Sequence, residues 1–238
     1  MIDSAKIDLL GDVFEIFSLE CDEKIPEEMK TNTEIIRVFL APSLTADFSV
    51  KAYFGAKEEY CDYCAAALIA AAFLVIKRGL PLSDMVFETP RGNITIFHTG
   101  AGKFRAKVDK CKLLLSSKLE HSGCDIEYID IFLGGIIRAI HTDDPDLFKT
   151  EKLRELVTTS SAFPSAVILS SSNGDKLKMS SYMDFSLAHI SNFSLWCCAA
   201  YNEKNAKTTV GKFLSEEYNS VFEVYPSSVI AEVHPNIL

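Results

Sequence analysis

The sequence predicts an α+β fold in which short strands surround a central helix, and this plan occurs twice along the chain. The first observation is an apolar run from Cys64 to Ile76 that has no polar face. A helix that is apolar on all sides must be wrapped by protein. The second is a series of short alternating segments and turn residues on both sides of this run. The third is another compact apolar run, at residues 194–201, after a similar series.

Composition places the chain among globular proteins and excludes several functions. Its 238 residues suit one large domain or two small ones, and the hydrophobic content of 48% supports a real core. A net charge of −9 without clusters of Lys or Arg argues against nucleic acid and anionic membrane surfaces as partners. The central apolar run is shorter than the roughly 20 residues that span a bilayer. Because residues 1–8 lack the apolar core of a signal peptide, we expect a cytoplasmic protein.

The cysteines and histidines predict neither disulfide staples nor a metal site. Seven cysteines are an odd number, and without an export signal they are expected to be reduced thiols. Cys61 and Cys64 have a CxxC spacing, but no second pair completes a zinc site and no βαβ context supports a redox motif. The five histidines are scattered and form no HxxxH pair. We therefore expect no metal site.

The first half is predicted to consist of short strands before and after the apolar run. Residues 6–20 form two strands broken at residues 10–12, and strands follow at 35–40 and 48–54, with a short exposed helix possible at 23–30. After the run, residues 85–89 and 93–98 form a hairpin, and another hairpin turns at 99–102 into 103–108.

The apolar run itself is predicted to be a buried helix whose first turn carries a thiol. Asp62 can cap its free N–H groups, while Lys77, Arg78 and Gly79 suit its C-terminal end. A helix N-terminus stabilises a thiolate, a bound carboxylate or a developing oxyanion. Cys64 is therefore either a reactive thiol or one more small buried residue, and the residues alone favour the second interpretation.

The second half repeats the plan. Residues 116–123 are predicted to be a polar crossover, residues 128–132 and 136–141 strands, and residues 150–157 an amphipathic helix. Residues 166–171 and 176–183 form a hairpin across Asn173 and Gly174. The run at 194–201 is a second inner helix, and its polar continuation, residues 202–207, is expected to leave the core. Residues 221–233 give one or two further strands.

Several local matches, in this order of elements, resemble diaminopimelate epimerase and its cofactor-independent isomerase relatives. The likeness covers roughly residues 6–210. Lys6–Phe14 resembles the family's opening KMHGLGNDF, and Phe54–Cys64 resembles FNADGSEAEMC, both without a gap. Residues 88–92 match ETxxG, residues 147–164 resemble an exposed helix followed by AFP, and residues 198–200 resemble the end of CGTGACAA.

The resemblance implies two pseudo-symmetric domains, each a curved, mostly antiparallel sheet wrapped around a central buried helix. We place these domains at residues 1–117 and 118–225, with residues 226–238 able to return to the first. In the family, two cysteines at facing helix starts act as acid and base on opposite faces of a substrate carbon. Racemisation requires this arrangement, because a proton leaves one face and arrives at the other.

The resemblance also assigns site positions, and these depart from the family pattern. Cys64 falls on the first catalytic cysteine, but Ala65, Ala66 and Ala67 replace GNG. Asp12 and Gly55 replace asparagines, Gly134–Ile137 replace GNPH, and Asp184 and Phe185 replace an ER pair. A diaminopimelate substrate is therefore not expected. The substrate-binding positions that the resemblance implies are Asp12, Gly55, Ala65, Ala66, Gly135, Ser194 and Leu195.

The second acid or base has three alternatives, which are no group at all, Cys197 and Asp12. If Cys198, Ala199 and Ala200 anchor the comparison, the position falls on Phe193, and no second thiol stands at the helix start. If residues 194–197 stand for the family's TLAC, the second cysteine is Cys197. Asp12 is a third possible acid or base if it lines the site, and its alternative role is that of a turn residue after Gly11.

Two functions follow from these observations. One is a cofactor-independent isomerase, racemase or epimerase that moves a proton at carbon on a small carboxylate or amino acid. The other is a non-catalytic binding or assembly module, because methyl groups and branched side chains have replaced glycines and polar groups. A homodimer is possible in either case.

Overall fold

A computed structural model describes residues 3–20, 25–26, 35–54, 62–81, 84–109, 112–121, 124–132, 136–144, 147, 164, 166–183, 190–207 and 211–238. The chain divides into two compact units. Unit 1 contains Met1–Lys107, Ser191–Phe193 and Glu232–Leu238, and unit 2 contains Val108–Ile190 and Ser194–Ala231. The domain bounds expected from the sequence stay a prediction.

The strands of unit 1 follow one another in chain order, with the C-terminal strand added beside the first. They are β1 (Asp3–Leu9), β2 (Asp12–Ser18), β3 (Ile36–Pro42), β4 (Phe48–Tyr53), β5 (Met85–Thr89), β6 (Gly92–Gly100), β7 (Lys103–Asp109) and β16 (Asn236–Ile237). The β2–β3 and β4–β5 pairs are parallel, and the other pairs among β1–β7 are antiparallel. The β1–β2 turn uses Leu10 and Gly11, both with positive φ, as a tight two-residue hairpin requires.

The predicted inner helix of unit 1 is confirmed. Helix α1 (Tyr63–Ala72) continues into a π-helical turn, Phe73–Lys77. Its residues from Ala65 to Leu74 are all buried, and six of the ten residues of α1 are alanine. Alanine is the best helix former and lets the surrounding backbone approach closely. Gly79 follows the helix with a φ of +67°, the conformation predicted for its C-terminal end.

Unit 2 contains its own run of strands in chain order. They are β8 (Lys112–His121), β9 (Cys124–Phe132), β10 (Ile136–His141), β11 (Ala166–Asn173), β12 (Lys176–Met183), β13 (Lys212–Ser215), β14 (Ser220–Tyr225) and β15 (Ser228–Val233). The β10–β11 and β12–β13 pairs are parallel, and the β8–β9, β9–β10, β11–β12 and β13–β14 pairs are antiparallel. The hairpin predicted around Asn173 and Gly174 joins β11 to β12.

The second inner helix is confirmed, and it begins at Asn192, two residues before the predicted apolar run. Helix α2 (Asn192–Lys207) buries Leu195 to Ala200 completely or almost completely. The expectation that its polar continuation leaves the core is wrong at its start, because Asn202 and Glu203 are 4% and 0% exposed. Both side chains can be buried because Ser170 on β11 satisfies them: its hydroxyl donates to Glu203 and accepts a hydrogen bond from Asn202.

The repeated plan predicted from the sequence is confirmed in the strand pairings. From β1 to β6 the order is antiparallel, parallel, antiparallel, helix, parallel and antiparallel, and β9 to β14 follow the same order. The fold is therefore α+β, with a mostly antiparallel sheet and one inner helix in each unit.

One predicted element is wrong and two lie outside the described residues. The polar crossover expected at 116–123 is largely strand β8, which pairs with β9. Its sequence resembles a polar connection because β8 is the last strand in the order and most of its side chains are exposed. The helices expected at 23–30 and 150–157 lie outside the described residues, apart from residues 25 and 26. No helix in the described part of the chain is long and apolar enough to cross a membrane.

Candidate functional site

The start of α1 carries the thiol predicted to be functional. Cys64 is the second residue of the helix and is half-buried. Asp62 caps this end, as predicted, because its Oδ1 atom accepts a hydrogen bond from the backbone N–H of Ala65 at 3.1 Å. Ala65 and Ala66 follow at 0% exposure, so their methyl groups lie inside the unit.

A second contact brings residues 191–193 to the same place within unit 1. The Ser191 hydroxyl donates a hydrogen bond to the Oδ2 atom of Asp62. Ser191 is 1% exposed and Asp62 is 7% exposed. Both oxygens of the Asp62 carboxylate are thus used, one by its own helix and one by the residue before α2.

Asp12 holds the first N–H group of α2. Its Oδ2 atom accepts a hydrogen bond from the backbone N–H of Asn192 at 2.6 Å. The first N–H groups of a helix have no partner within the helix, and the partial positive charge there favours a carboxylate. Asp12 therefore connects the turn after β1 to the start of the second inner helix.

The surroundings of Asp12 give its carboxyl group an unusual proton affinity. Burial is the largest influence and raises the pKa from 3.8 to about 6, against the lowering effect of the Asn192 N–H. The negative charges of Asp62 and, to a smaller extent, Asp8 raise the pKa further. A carboxyl group that titrates near neutral pH can accept and return a proton under physiological conditions.

Three other predicted site residues lie further along α2 than Asn192. Ser194 and Leu195 follow in the first turn of α2, 4% and 0% exposed. Cys197 lies on the second turn of this helix at 0% exposure. Its predicted catalytic role stays a prediction, and the fully buried Phe193 occupies the alternative position.

Gly55 and Gly135, which the resemblance places in the site, lie outside the described residues. Sequence reasoning missed Ser191 and Asn192. The available signal was the Ser-Asn pair directly before an apolar run, which is typical of a helix N-terminus. No group of three or more His, Cys, Asp or Glu side chains within the described ranges could hold a metal ion.

Solved structures resemble the chain over its full length at low sequence identity. A phenazine biosynthesis protein of the PhzF family from Bacillus anthracis has a TM-score of 0.72 at 11% identity, covering 100% of this chain and 97% of the other. A hydroxyproline epimerase from Agrobacterium vitis has a TM-score of 0.57 at 9% identity, covering 100% and 90%. A methylitaconate-delta-isomerase has a TM-score of 0.53 at 10% identity, covering 100% and 93%.

The chain has the diaminopimelate epimerase-like fold. This confirms the resemblance drawn from the motifs at Lys6–Phe14 and Phe54–Cys64. No family model and no curated protein matches the sequence. A fold does not by itself identify a reaction. The function of this chain therefore has to be inferred from the side chains at the starts of α1 and α2.

Proposed function

We propose that the chain is a cofactor-independent isomerase that moves a proton at carbon on a small carboxylate or amino acid other than diaminopimelate. The observation that carries the proposal is the Asp12 carboxyl group, whose pKa of about 6 suits it to gain and lose a proton beside a helix start. Asp12 lies close enough to Asp62 for their charges to interact, and Asp62 caps the helix that carries Cys64.

The proposed reaction divides two proton transfers between Asp12 and Cys64. The Asp12 carboxylate takes a proton from the substrate carbon, and the Cys64 thiol delivers one to the opposite face. The resulting thiolate and carboxylic acid then exchange protons with water, or act in reverse on the next substrate. Helix N–H groups beside the reacting carbon would stabilise the negative charge that develops on a substrate carboxylate.

The solved structures support the class of reaction but not its substrate. Two of them are named as an epimerase and an isomerase, and the epimerase was solved with bound trans-4-hydroxy-L-proline. The GNG segment of the family is Ala65–Ala67 here, and the methyl groups of Ala65 and Ala66 are buried. The substrate is therefore expected to differ in how its polar groups are held.

Exchange of the substrate α-proton with D₂O tests the proposal. We would incubate the protein with a panel of L-amino acids and small hydroxy and unsaturated acids and follow deuterium incorporation by NMR. Exchange by the wild type that falls at least about 100-fold in both Asp12→Asn and Cys64→Ser would support it, since acid–base groups contribute on this scale.

Cys197→Ala is the matched control, because it removes a thiol from a fully buried position of α2. We expect this variant to keep its exchange activity. Loss of exchange in Cys197→Ala with retention in Cys64→Ser would overturn the assignment of Cys64 and favour Cys197 as the catalytic thiol.

A second candidate function, a non-catalytic binding or assembly module, is favoured by one specific observation. The protein's own carboxylates already occupy the two helix starts, Asp62 on the Ala65 N–H and Asp12 on the Asn192 N–H. A substrate carboxylate would have to compete with them. If the folded wild type exchanges no proton on any member of the panel, the isomerase proposal fails. The non-catalytic binding or assembly module is then the function that the structure supports.

A further inference from the structure

Unit 2 contains a cavity that the proposed reaction does not use. Its volume is about 620 Å³, within the range of 300–1,000 Å³ typical of small-ligand pockets. The lining combines charged, hydroxyl and apolar side chains, among them Asp143, Ser172, Lys178, Met179, Trp196 and Glu217. All of these residues belong to unit 2.

Charges of both signs remain available in this cavity. Lys176 and Glu216 neutralise each other, with Nζ and Oε1 2.7 Å apart. Lys178 and Glu217 are exposed, and neither takes part in an ion pair with the residues that the structure describes. The cavity therefore offers an ammonium group and a carboxylate group to a ligand.

One wall of the cavity is apolar and firmly held. Trp196 is 2% exposed, and its ring stacks on Phe222 with 6.0 Å between centroids and an interplanar angle of 11°. Tyr218 packs edge-on against the same indole at 5.8 Å. Leu177 adds aliphatic surface. Because Trp196 and Leu177 are nearly covered, the half-buried Met179 beside them supplies apolar surface that a ligand side chain can contact.

A buried polar network fixes the other wall. The Ser172 hydroxyl donates to Oε2 of Glu203 at 2.7 Å, and the Ser170 hydroxyl donates to Oε1 at 2.7 Å. His141 Nδ1 lies 2.8 Å from Oε1 of Glu203, and its Nε2 atom lies 3.9 Å from a carboxylate oxygen of Asp143. The network thus orients Ser172 and connects the wall to Asp143.

We propose that this cavity is a second ligand site, which binds a small zwitterion of the class of free α-amino acids with an apolar side chain. Lys178 pairs with the ligand carboxylate, Glu217 and Asp143 face its ammonium group, and Met179 and the lining edge of Trp196 contact its side chain. The inference does not rest on the proposed isomerase function, because the cavity and Asp12 belong to different units.

Trp196 is the only tryptophan of the chain, so its fluorescence reports on the cavity directly. Titration of the full chain with L-leucine should give a saturable change in Trp196 emission. N-acetyl-L-leucine lacks the ammonium charge and L-leucinamide lacks the carboxylate, so each should bind at least about tenfold more weakly, the scale of one lost charged hydrogen bond.

Variants separate this site from that of Asp12. Lys178→Gln and Glu217→Gln should each weaken leucine binding by about tenfold. Lys51→Gln, at an exposed position of unit 1, and Asp12→Asn should both bind leucine as the wild type does. The proposal is overturned if no amino acid changes the emission saturably. It is also overturned if Lys178→Gln binds like the wild type, or if Asp12→Asn abolishes binding.

Discussion

The two inner helices occupy the same place in the repeated strand plan, yet they are held in different ways. From Ala65 to Ala72, helix α1 consists only of alanine, leucine and isoleucine, all at 0% exposure. Helix α2 is also apolar from Leu195 to Ala200, but one turn before its end it carries a buried carboxylate, Glu203, that accepts hydrogen bonds from two serines. The comparison shows that one topology can be built with dispersion contacts or with a directed polar network.

The difference has consequences for each unit. The Glu203 network requires one rotation and one depth of α2, because its hydrogen bonds are directional. That network reaches the cavity wall at Ser172. In unit 1 the polar contacts described at the inner helices lie at their starts, where Asp62 caps α1 and Asp12 accepts the Asn192 N–H of α2.

The largest effect is expected where a charge enters the apolar helix. Ala70→Glu places a carboxylate at a position of 0% exposure, so it should cost more than about 4 kcal/mol and prevent unit 1 from folding. Urea unfolding followed by circular dichroism measures this. Ile76→Glu, 42% exposed at the end of the same helical segment, should change stability by less than about 1 kcal/mol.

The reverse change, removal of the buried charge from α2, should have the next largest effect. Glu203→Ala leaves the hydroxyls of Ser170 and Ser172 without their acceptor, so we expect a loss of about 3 kcal/mol in the free energy of unfolding. Glu203→Gln should restore part of it.

The control for this prediction is Glu127→Ala. Glu127 is 79% exposed and pairs with Lys118 at 3.3 Å on the surface, so its removal should cost less than about 0.5 kcal/mol. Equal losses in Glu203→Ala and Glu127→Ala would show that the buried network does not fix α2.

The dependence of stability on pH should identify Asp12. Its pKa in the folded protein, about 6, lies above the ordinary value of 3.8, so the protonated carboxyl favours the folded state below pH 4. This contribution, up to about 2–3 kcal/mol, is lost as the pH rises from about 4 through 6. The difference between wild-type and Asp12→Asn unfolding free energies, measured across this range, should show the loss. A pH-independent difference would contradict the raised pKa.

The smallest effect is expected at the cap of α1. Asp62→Ala removes the acceptor of the Ala65 N–H and of the Ser191 hydroxyl, which should cost about 1–2 kcal/mol in denaturant unfolding. Asp62→Asn keeps a capping oxygen and should retain most of the stability. If both variants lose the same amount, the charge rather than the cap is what matters at this position.

Much of the fold could be predicted because it depends on local patterns. The apolar run after Asp62 has no polar face, so a buried helix was its only stable outcome. The break at Leu10 and Gly11 and the turn at Gly174 are short-range signals that fix their hairpins. Strand β8 escaped prediction because an exposed edge strand lacks the alternation that marks a half-buried one.

The candidate site could be predicted only in part. Cys64 and Asp62 are close in sequence, and both could be predicted because they lie at the start of one apolar helix. The contact of Asp12 with Asn192 joins residues 180 positions apart, so no local sequence pattern predicts it. The burial of Glu203 was missed for the same reason, since its partners lie on β10 and β11.

The sequence by itself determined the two inner helices, the repeated order of strands and the thiol at the start of α1, because side-chain periodicity and capping act over a few residues. Only the tertiary structure decided the proton affinity of Asp12 and the burial of Glu203. Both depend on the desolvation and hydrogen bonding that distant segments impose, and those influences exist only after the chain has folded.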